Sequence, residues 1–320
     1  MCPVDGADAT RARRLTGARS ASIDMRVTMV RASKYAAAAA LACAIAGCVA
    51  PGRLAAPQVP EVSSRAPVAP SPATIALEGA PRQGGTIFAT VSPRGTRLTL
   101  DGEPVPVAAD GRVLLGFDRD ARPRALLVAR APDGSVATRA LTVAPGAWRI
   151  ERVDAPLTAG RTSAEFARLR PPELARIAAA RAVDRDADGW RQRFVWPAEG
   201  RHSGRFGAQR VYQGVPGSYH TGADVAVPTG TPVRAPADGV VALAGGGFTL
   251  EGNLVILDHG MGLTSAFLHL SRIDVRAGER VRRGDPLGLS GATGRATGPH
   301  LHWGVTWRGR RLDPALLAGE

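Results

Sequence analysis

Glycine and Asp-Gly turns cut most of this chain into apolar runs too short to be helices. Residues 85–91, 97–100, 105–107, 113–117, 125–130 and 136–143 are rich in β-branched and aliphatic side chains. Between them stand Asp101-Gly102, Asp110-Gly111 and Asp133-Gly134, dipeptides that suit tight hairpins because glycine tolerates positive φ. The pattern returns at 232–234, 239–243, 253–258, 262–269, 286–290 and 300–306. Runs of this kind predict a mainly β protein. They fall into a small β-sandwich over 75–147 and an antiparallel β domain with a groove over 190–316.

Residues 160–189 break the pattern and read as a short helical linker. Thr162-Ser163-Ala164-Glu165 fits a capping box. Pro171-Pro172 is expected to start a second helix, with Leu174, Ile177 and Ala178 on one face. Asp184-Arg185-Asp186-Ala187-Asp188-Gly189 imitates the start of a calcium loop, but Val195 stands at the twelfth position where that loop needs glutamate.

The first 47 residues read as a segment absent from the mature protein. Residues 1–24 are polar and arginine-rich, and Met25 or Met29 is the more natural start. Arg26, Arg31 and Lys34 then form a charged region ahead of an apolar run over 35–46, too short to span a bilayer but suited to a signal peptide. The run ends in Ile45-Ala46-Gly47-Cys48, which resembles a bacterial lipobox, so Cys48 is the expected lipidation site. Val49 after it favours, by the same resemblance, the outer membrane. Residues 48–74 are rich in Pro and Ala and form an extended spacer. Cys2, Cys43 and Cys48 are the only cysteines, so the body of the protein has no disulfide.

Four of the six histidines lie in three short stretches. His300-Leu301-His302 follows a glycine-rich approach. On a strand both imidazoles face one way, and Leu301 faces the core. His220 precedes Asp224 by four, an even spacing that keeps both on one face if the segment is a strand. His269 ends the apolar run at 262–269. Zinc takes imidazole nitrogen and carboxylate oxygen, and a catalytic site uses three protein ligands beside water. His220, Asp224 and one histidine of the pair meet that requirement.

This order of motifs, with Gly204-Arg205-Phe206-Gly207, Ala235-Pro236-Ala237-Asp238-Gly239 and Asp258-His259-Gly260, resembles the M23 or LytM-type zinc peptidases over about 194–314. The resemblance implies a duplicated-hybrid-motif-like antiparallel β domain that holds one zinc ion. It implies His220, Asp224 and His302 as metal ligands. His269 and His300 are then the catalytic pair, which handles protons and transition-state charge in either division of roles. Asn253, just before a strand, is a candidate substrate contact. His259, in a turn at a strand end, is expected to be exposed. Arg205, Tyr212 and Tyr219 are candidate groove residues.

Location and family together imply a metalloendopeptidase that hydrolyses the peptide stems or cross-links of peptidoglycan. It would be held on the periplasmic side of the envelope by its lipid. The alternative is a non-catalytic LytM-type activator of a cell-wall amidase or a partner of division proteins. Such relatives usually lack a zinc ligand, whereas all five polar positions are present here. A structural zinc site is disfavoured, because it takes four protein ligands and prefers cysteine. The net charge of +13 raises nucleic acid as a partner. However, no Arg/Lys cluster is interleaved with aromatics, which are only 5% of the chain, so no nucleic-acid binding is expected.

Overall fold

A computed structural model describes residues 71–155 and 163–319. The predicted signal segment, Cys48 and most of the Pro/Ala-rich spacer lie outside the described residues.

The first described module is two antiparallel sheets. One runs Thr74–Glu78, Thr86–Ser92, Arg112–Gly116. The other runs Glu103–Val105, Arg97–Leu100, Arg124–Arg130, Val136–Thr142. Alternation along the strands buries Ile87, Ala89 and Val91 from the first sheet and Leu98, Leu100, Leu127 and Ala129 from the second, in one shared core. Asp101 and Gly102 both have positive φ, 52° and 86°, the two-residue hairpin turn that the dipeptide predicts.

The second β unit is built on one large antiparallel sheet. Its strands lie in the order Arg280–Val281, Gly239–Phe248, Gly252–Asp258, Leu263–Leu270, Leu301–Trp307, Ala223–Ala226, Arg201–Gly204. Arg310–Leu312 also pairs with Leu301–Trp307. A smaller sheet of Pro232–Arg234, Pro286–Leu289 and Arg272–Ile273 completes it. The central strand Gly252–Asp258 is apolar without alternation because both of its faces are covered. Val255 and Leu257 enter the main core. Leu254 and Ile256 join Phe248 and Ala266 beneath Ile177 and Ala180 of the helix Ala164–Ala182.

That helix corrects two expectations. It runs unbroken through Pro171 and Pro172, although each removes a donor from the turn before. Proline's fixed φ is itself helical, and tertiary anchors on both sides hold the segment. Arg170 forks onto Glu251, and Glu173 receives the Thr249 amide and hydroxyl. The buried face is accordingly Glu173, Ile177 and Ala180, while Leu174 is 49% exposed. Ser163 caps the helix by accepting from the Phe166 amide at 3.0 Å. The expected box, with Thr162 as cap and Glu165 three residues on, placed the start one residue earlier; Thr162 lies outside the described residues.

The chain also makes pairings that local pattern does not announce. Ile150–Val153 adds in parallel to Gln209–Tyr212. Trp148 packs edge-on against Phe206 at 5.5 Å between centroids. The Trp307 ring lies against Gly116 of the first module. Among the described residues no helix is long and apolar enough to cross a membrane.

Candidate metal and catalytic site

The sheet register places two of the predicted ligands directly. Asp224 and His302 face each other across the antiparallel pair of Ala223–Ala226 and Leu301–Trp307, and His302 Nδ1 lies 2.8 Å from Asp224 Oδ1. His220 arrives differently from the strand spacing expected above. It sits in the loop before Ala223–Ala226, pinned by its backbone amide to Ala208 O and its carbonyl to the Gly207 amide. Its Nδ1 donates to Arg205 O at 3.1 Å, which turns Nε2 toward Asp224 Oδ1 and His302 Nδ1, both 3.1 Å away. Gly222 makes room for this: a Cβ there would stand 2.4 Å from Trp303 O and 2.7 Å from His302 Nε2.

Three ligand atoms thus converge: His220 Nε2, Asp224 Oδ1 and His302 Nδ1. Tetrahedral zinc with bonds of about 2.0–2.1 Å spaces its ligand atoms by roughly 3.3 Å. The 2.8–3.1 Å separations here fit that ion with only small relaxation, and the nitrogen and oxygen donors are of the type zinc takes. Burial opposes ionisation of Asp224, but hydrogen bonds from His220 and His302 hold its carboxyl far below the usual carboxylate range. Burial pulls His220 down, yet the Asp224 carboxylate outweighs it and leaves the imidazole raised. For His302 burial wins and the ring is shifted toward its neutral, metal-binding form.

His269 reaches the site through a β-bulge. Val255 pairs with Phe267 and Asn253 with Leu270, so the single residue Leu254 on one strand stands opposite two, Leu268 and His269, on the other. Leu268 is the residue opposite His302, and regular alternation would send His269 to the other face. Instead His269 takes φ +63°, and its ring comes to 4.8 Å from His300 and 6.2 Å from His302, between centroids. Bulges re-aim side chains in this way, and a non-glycine residue in the left-handed region stores strain. The Glu251 carbonyl accepts the His269 amide at 2.9 Å, and Thr293 O accepts from its Nδ1 at 2.8 Å. His300 bridges to Gly291 just ahead of Leu301–Trp307, and its Nδ1 donates to Gly298 O at 2.8 Å. A carbonyl can only accept, so both rings carry the proton on Nδ1 and keep Nε2 available. Burial lowers the His269 pKa and keeps that ring neutral. Ser203, Ala226, Arg295, Thr297 and Pro299 complete the walls of the groove.

Several other expected residues lie elsewhere. Asn253 does not line the groove; its side chain donates to Leu270 O at 2.8 Å and its amide to Thr293 Oγ1 at 2.9 Å, so it braces the His269 segment. His259 is fully buried rather than exposed. Its Nδ1 donates to Asp238 O, its Nε2 meets Ser265 Oγ, and Phe194 packs on the ring. Tyr219 lies under Arg119 and Arg311, and Arg205 contributes its carbonyl. Among the lining residues, Ser203, Arg295 and Thr297 were not singled out from sequence, and the glycine-rich run ahead of His300 was the signal available for the last two.

The comparisons with known proteins agree with this geometry. The model of Peptidase family M23 matches residues 218–314. A crystal structure from Pseudomonas aeruginosa assigned to peptidase M23 is 33% identical, with a TM-score of 0.59, and covers 75% of this chain and 96% of that one. The chain belongs to peptidase family M23. Within M23, it is 47% identical over 94 residues to the peptidoglycan DD-endopeptidase ShyA of Vibrio cholerae, 29% of this chain and 22% of that protein. It is 45% identical over 101 residues to the DD-carboxypeptidase/endopeptidase Mpg of Neisseria meningitidis, 31% of this chain and 23% of that protein. The chain thus spans less than a quarter of the length of these curated M23 relatives.

Proposed function

We propose that this M23 protein is a zinc-dependent endopeptidase that cuts peptide cross-links of peptidoglycan. The observation that carries the reading is the meeting of a three-ligand cluster with two histidines whose Nε2 atoms are free. When bound, zinc supplies Lewis acidity toward a carbonyl and a nucleophilic water near neutral pH. The chain's own residues do the rest. His300 Nε2, 4.0 Å from Asp224 Oδ1, accepts a proton beside the ligand cluster and returns it to the leaving amine. His269 rests neutral with its proton on Nδ1; on taking a proton from solvent at Nε2 it donates that proton in a hydrogen bond to the oxygen that gains charge. The Thr293 and Gly298 carbonyls hold both rings in the required tautomer. The roles of the two rings are interchangeable in this scheme.

The names of the ShyA and Mpg relatives support a bond of the DD type, and the cross-link between D-alanine and diaminopimelate is the substrate we assign. The lipobox-like Ile45-Ala46-Gly47-Cys48 supports attachment to the envelope, most simply on the periplasmic face of the outer membrane. Loss of membrane association in Cys48→Ala is the expected check.

The test is mass spectrometry of purified sacculi incubated with the zinc-loaded full chain beside a His300→Ala control. Cross-linked dimers should fall and monomers rise with the wild type alone. No change in either would overturn the endopeptidase and leave the amidase-activator role as the reading to pursue.

A further inference from the structure

The groove holds one permanent cation. Of its lining residues only Asp224 and Arg295 carry a fixed charge, and Asp224 is committed to His220 and His302. Among the described residues, no hydrogen bond or ion pair is formed by the Arg295 side chain. That contrasts with Arg170 and Arg191, whose guanidinium groups are paired to carboxylates. The backbone of Arg295 is nonetheless held firmly. Its amide donates to Leu250 O at 3.0 Å. The preceding Gly294 has φ +71°, and a Cβ there would stand 2.3 Å from Gly252 N and 2.6 Å from Leu250 O. The loop backbone is therefore pressed onto the turn at 249–252, and the same loop that delivers His300 carries an unpaired guanidinium on a residue lining the groove.

We infer that Arg295 is a specificity-determining residue that binds the substrate carboxylate next to the scissile amide nitrogen. The inference rests on the endopeptidase reading above. In a cross-link between D-alanine and diaminopimelate, the leaving nitrogen sits on a carbon that bears a carboxylate. In a glycine bridge the corresponding carbon bears only the next neutral amide. A guanidinium fork matches a carboxylate in shape and charge, and such charge-assisted bonds exceed neutral ones in strength. With a dication and one ligand carboxylate in place, the groove is cationic overall, which favours an acidic stem and disfavours an uncharged bridge. Arg295 thus selects the class of cross-link rather than performing the bond cleavage.

The experiment uses the zinc-loaded full chain and two synthetic cross-linked peptide dimers, one with that carboxylate free and one with it converted to a carboxamide. The wild type should favour the free carboxylate in kcat/KM by on the order of tenfold. Arg295→Gln should bring the ratio close to one, and Arg295→Lys should keep part of it. The side chain is exposed, so thermal melting of both variants should match the wild type. A ratio unchanged in Arg295→Gln overturns the inference. Binding of the same dimers to the His300→Ala chain separates the two readings. Cleavage of neither dimer by the wild type defeats the endopeptidase. Equal affinity of the His300→Ala chain for the free and amidated dimers defeats the role of Arg295.

Discussion

Gly222 shows how little space the ligand cluster leaves. Its missing side chain lets Trp303 O and His302 Nε2 approach within 3 Å of where a Cβ would stand. Gly222→Ala should push the His302 ring off its position, lowering zinc affinity by about 10–100-fold and stability by roughly 1–3 kcal/mol. Chelator competition and thermal melting read the two effects separately. His259 is the opposite case, a histidine with no place in the chemistry. Full burial holds its pKa down to about 4, against about 6.5 in the unfolded chain. Between those values the unfolded chain binds more protons, so this contribution is complete above pH 6.5 and is lost as pH falls toward 4. The whole effect is about 3 kcal/mol. The gap in urea stability between wild type and His259→Gln should therefore close across that window. An unchanged gap would assign the acid sensitivity to other groups. At this scale the five polar site residues were legible from their order along the chain. The burial of His259 was not, because a histidine in an Asp-His-Gly turn reads as surface until Phe194 and Ser265 are seen to enclose it.

At the scale of elements, the bulge at Leu268-His269 and the helix Ala164–Ala182 act on the same point. The helix grips the turn at 249–252 through the Arg170 fork on Glu251 and through Glu173. Glu251 in turn holds the His269 amide. Arg170→Met leaves the Glu251 carboxylate unpaired in a largely buried setting, with side-chain exposures of 17% and 13% for the pair. The expected cost is on the order of 2 kcal/mol, with kcat reduced by about tenfold and zinc content unchanged. Melting, metal analysis and turnover together distinguish this from loss of the ligand cluster, which would strip the zinc as well. Most of the strands were readable from alternation and turn dipeptides, but Ile150–Val153, Arg201–Gly204 and Gln209–Tyr212 were not. The unbroken helix was not, because Pro171-Pro172 is a local stop signal and the contacts that outweigh it come from residues about eighty positions away. The bulge was hidden too, since it arises from the registers of three strands together.

Across the whole molecule, the two β units share one core. Trp307 lies over Gly116, Phe88 meets Trp190 at 6.1 Å, and Arg308 donates to Pro104 O at 3.1 Å. A Cβ at Gly116 would lie 3.0–3.2 Å from three atoms of Trp307, so a valine there overpacks the junction. Gly116→Val should lower stability by about 1–3 kcal/mol while zinc content stays unchanged. Denaturant unfolding and metal analysis check both parts, and an unaltered midpoint would show that the junction yields freely.

The sequence by itself determined the mainly β class, the hairpin turns and a candidate ligand set of His220, Asp224 and one histidine of the pair His300 and His302, and it carried the family resemblance that implied the rest of the site. Side-chain alternation, glycine's tolerance of positive φ and the chemistry of imidazole and carboxylate are all local properties. Only the tertiary structure decided that His220 comes from a loop, that a bulge turns His269 to face His300, that the paired prolines stay helical, and that Arg295 stands unpaired at the groove. Each of these depends on which distant segments share a register or a hydrogen bond, and no window along the chain contains both partners.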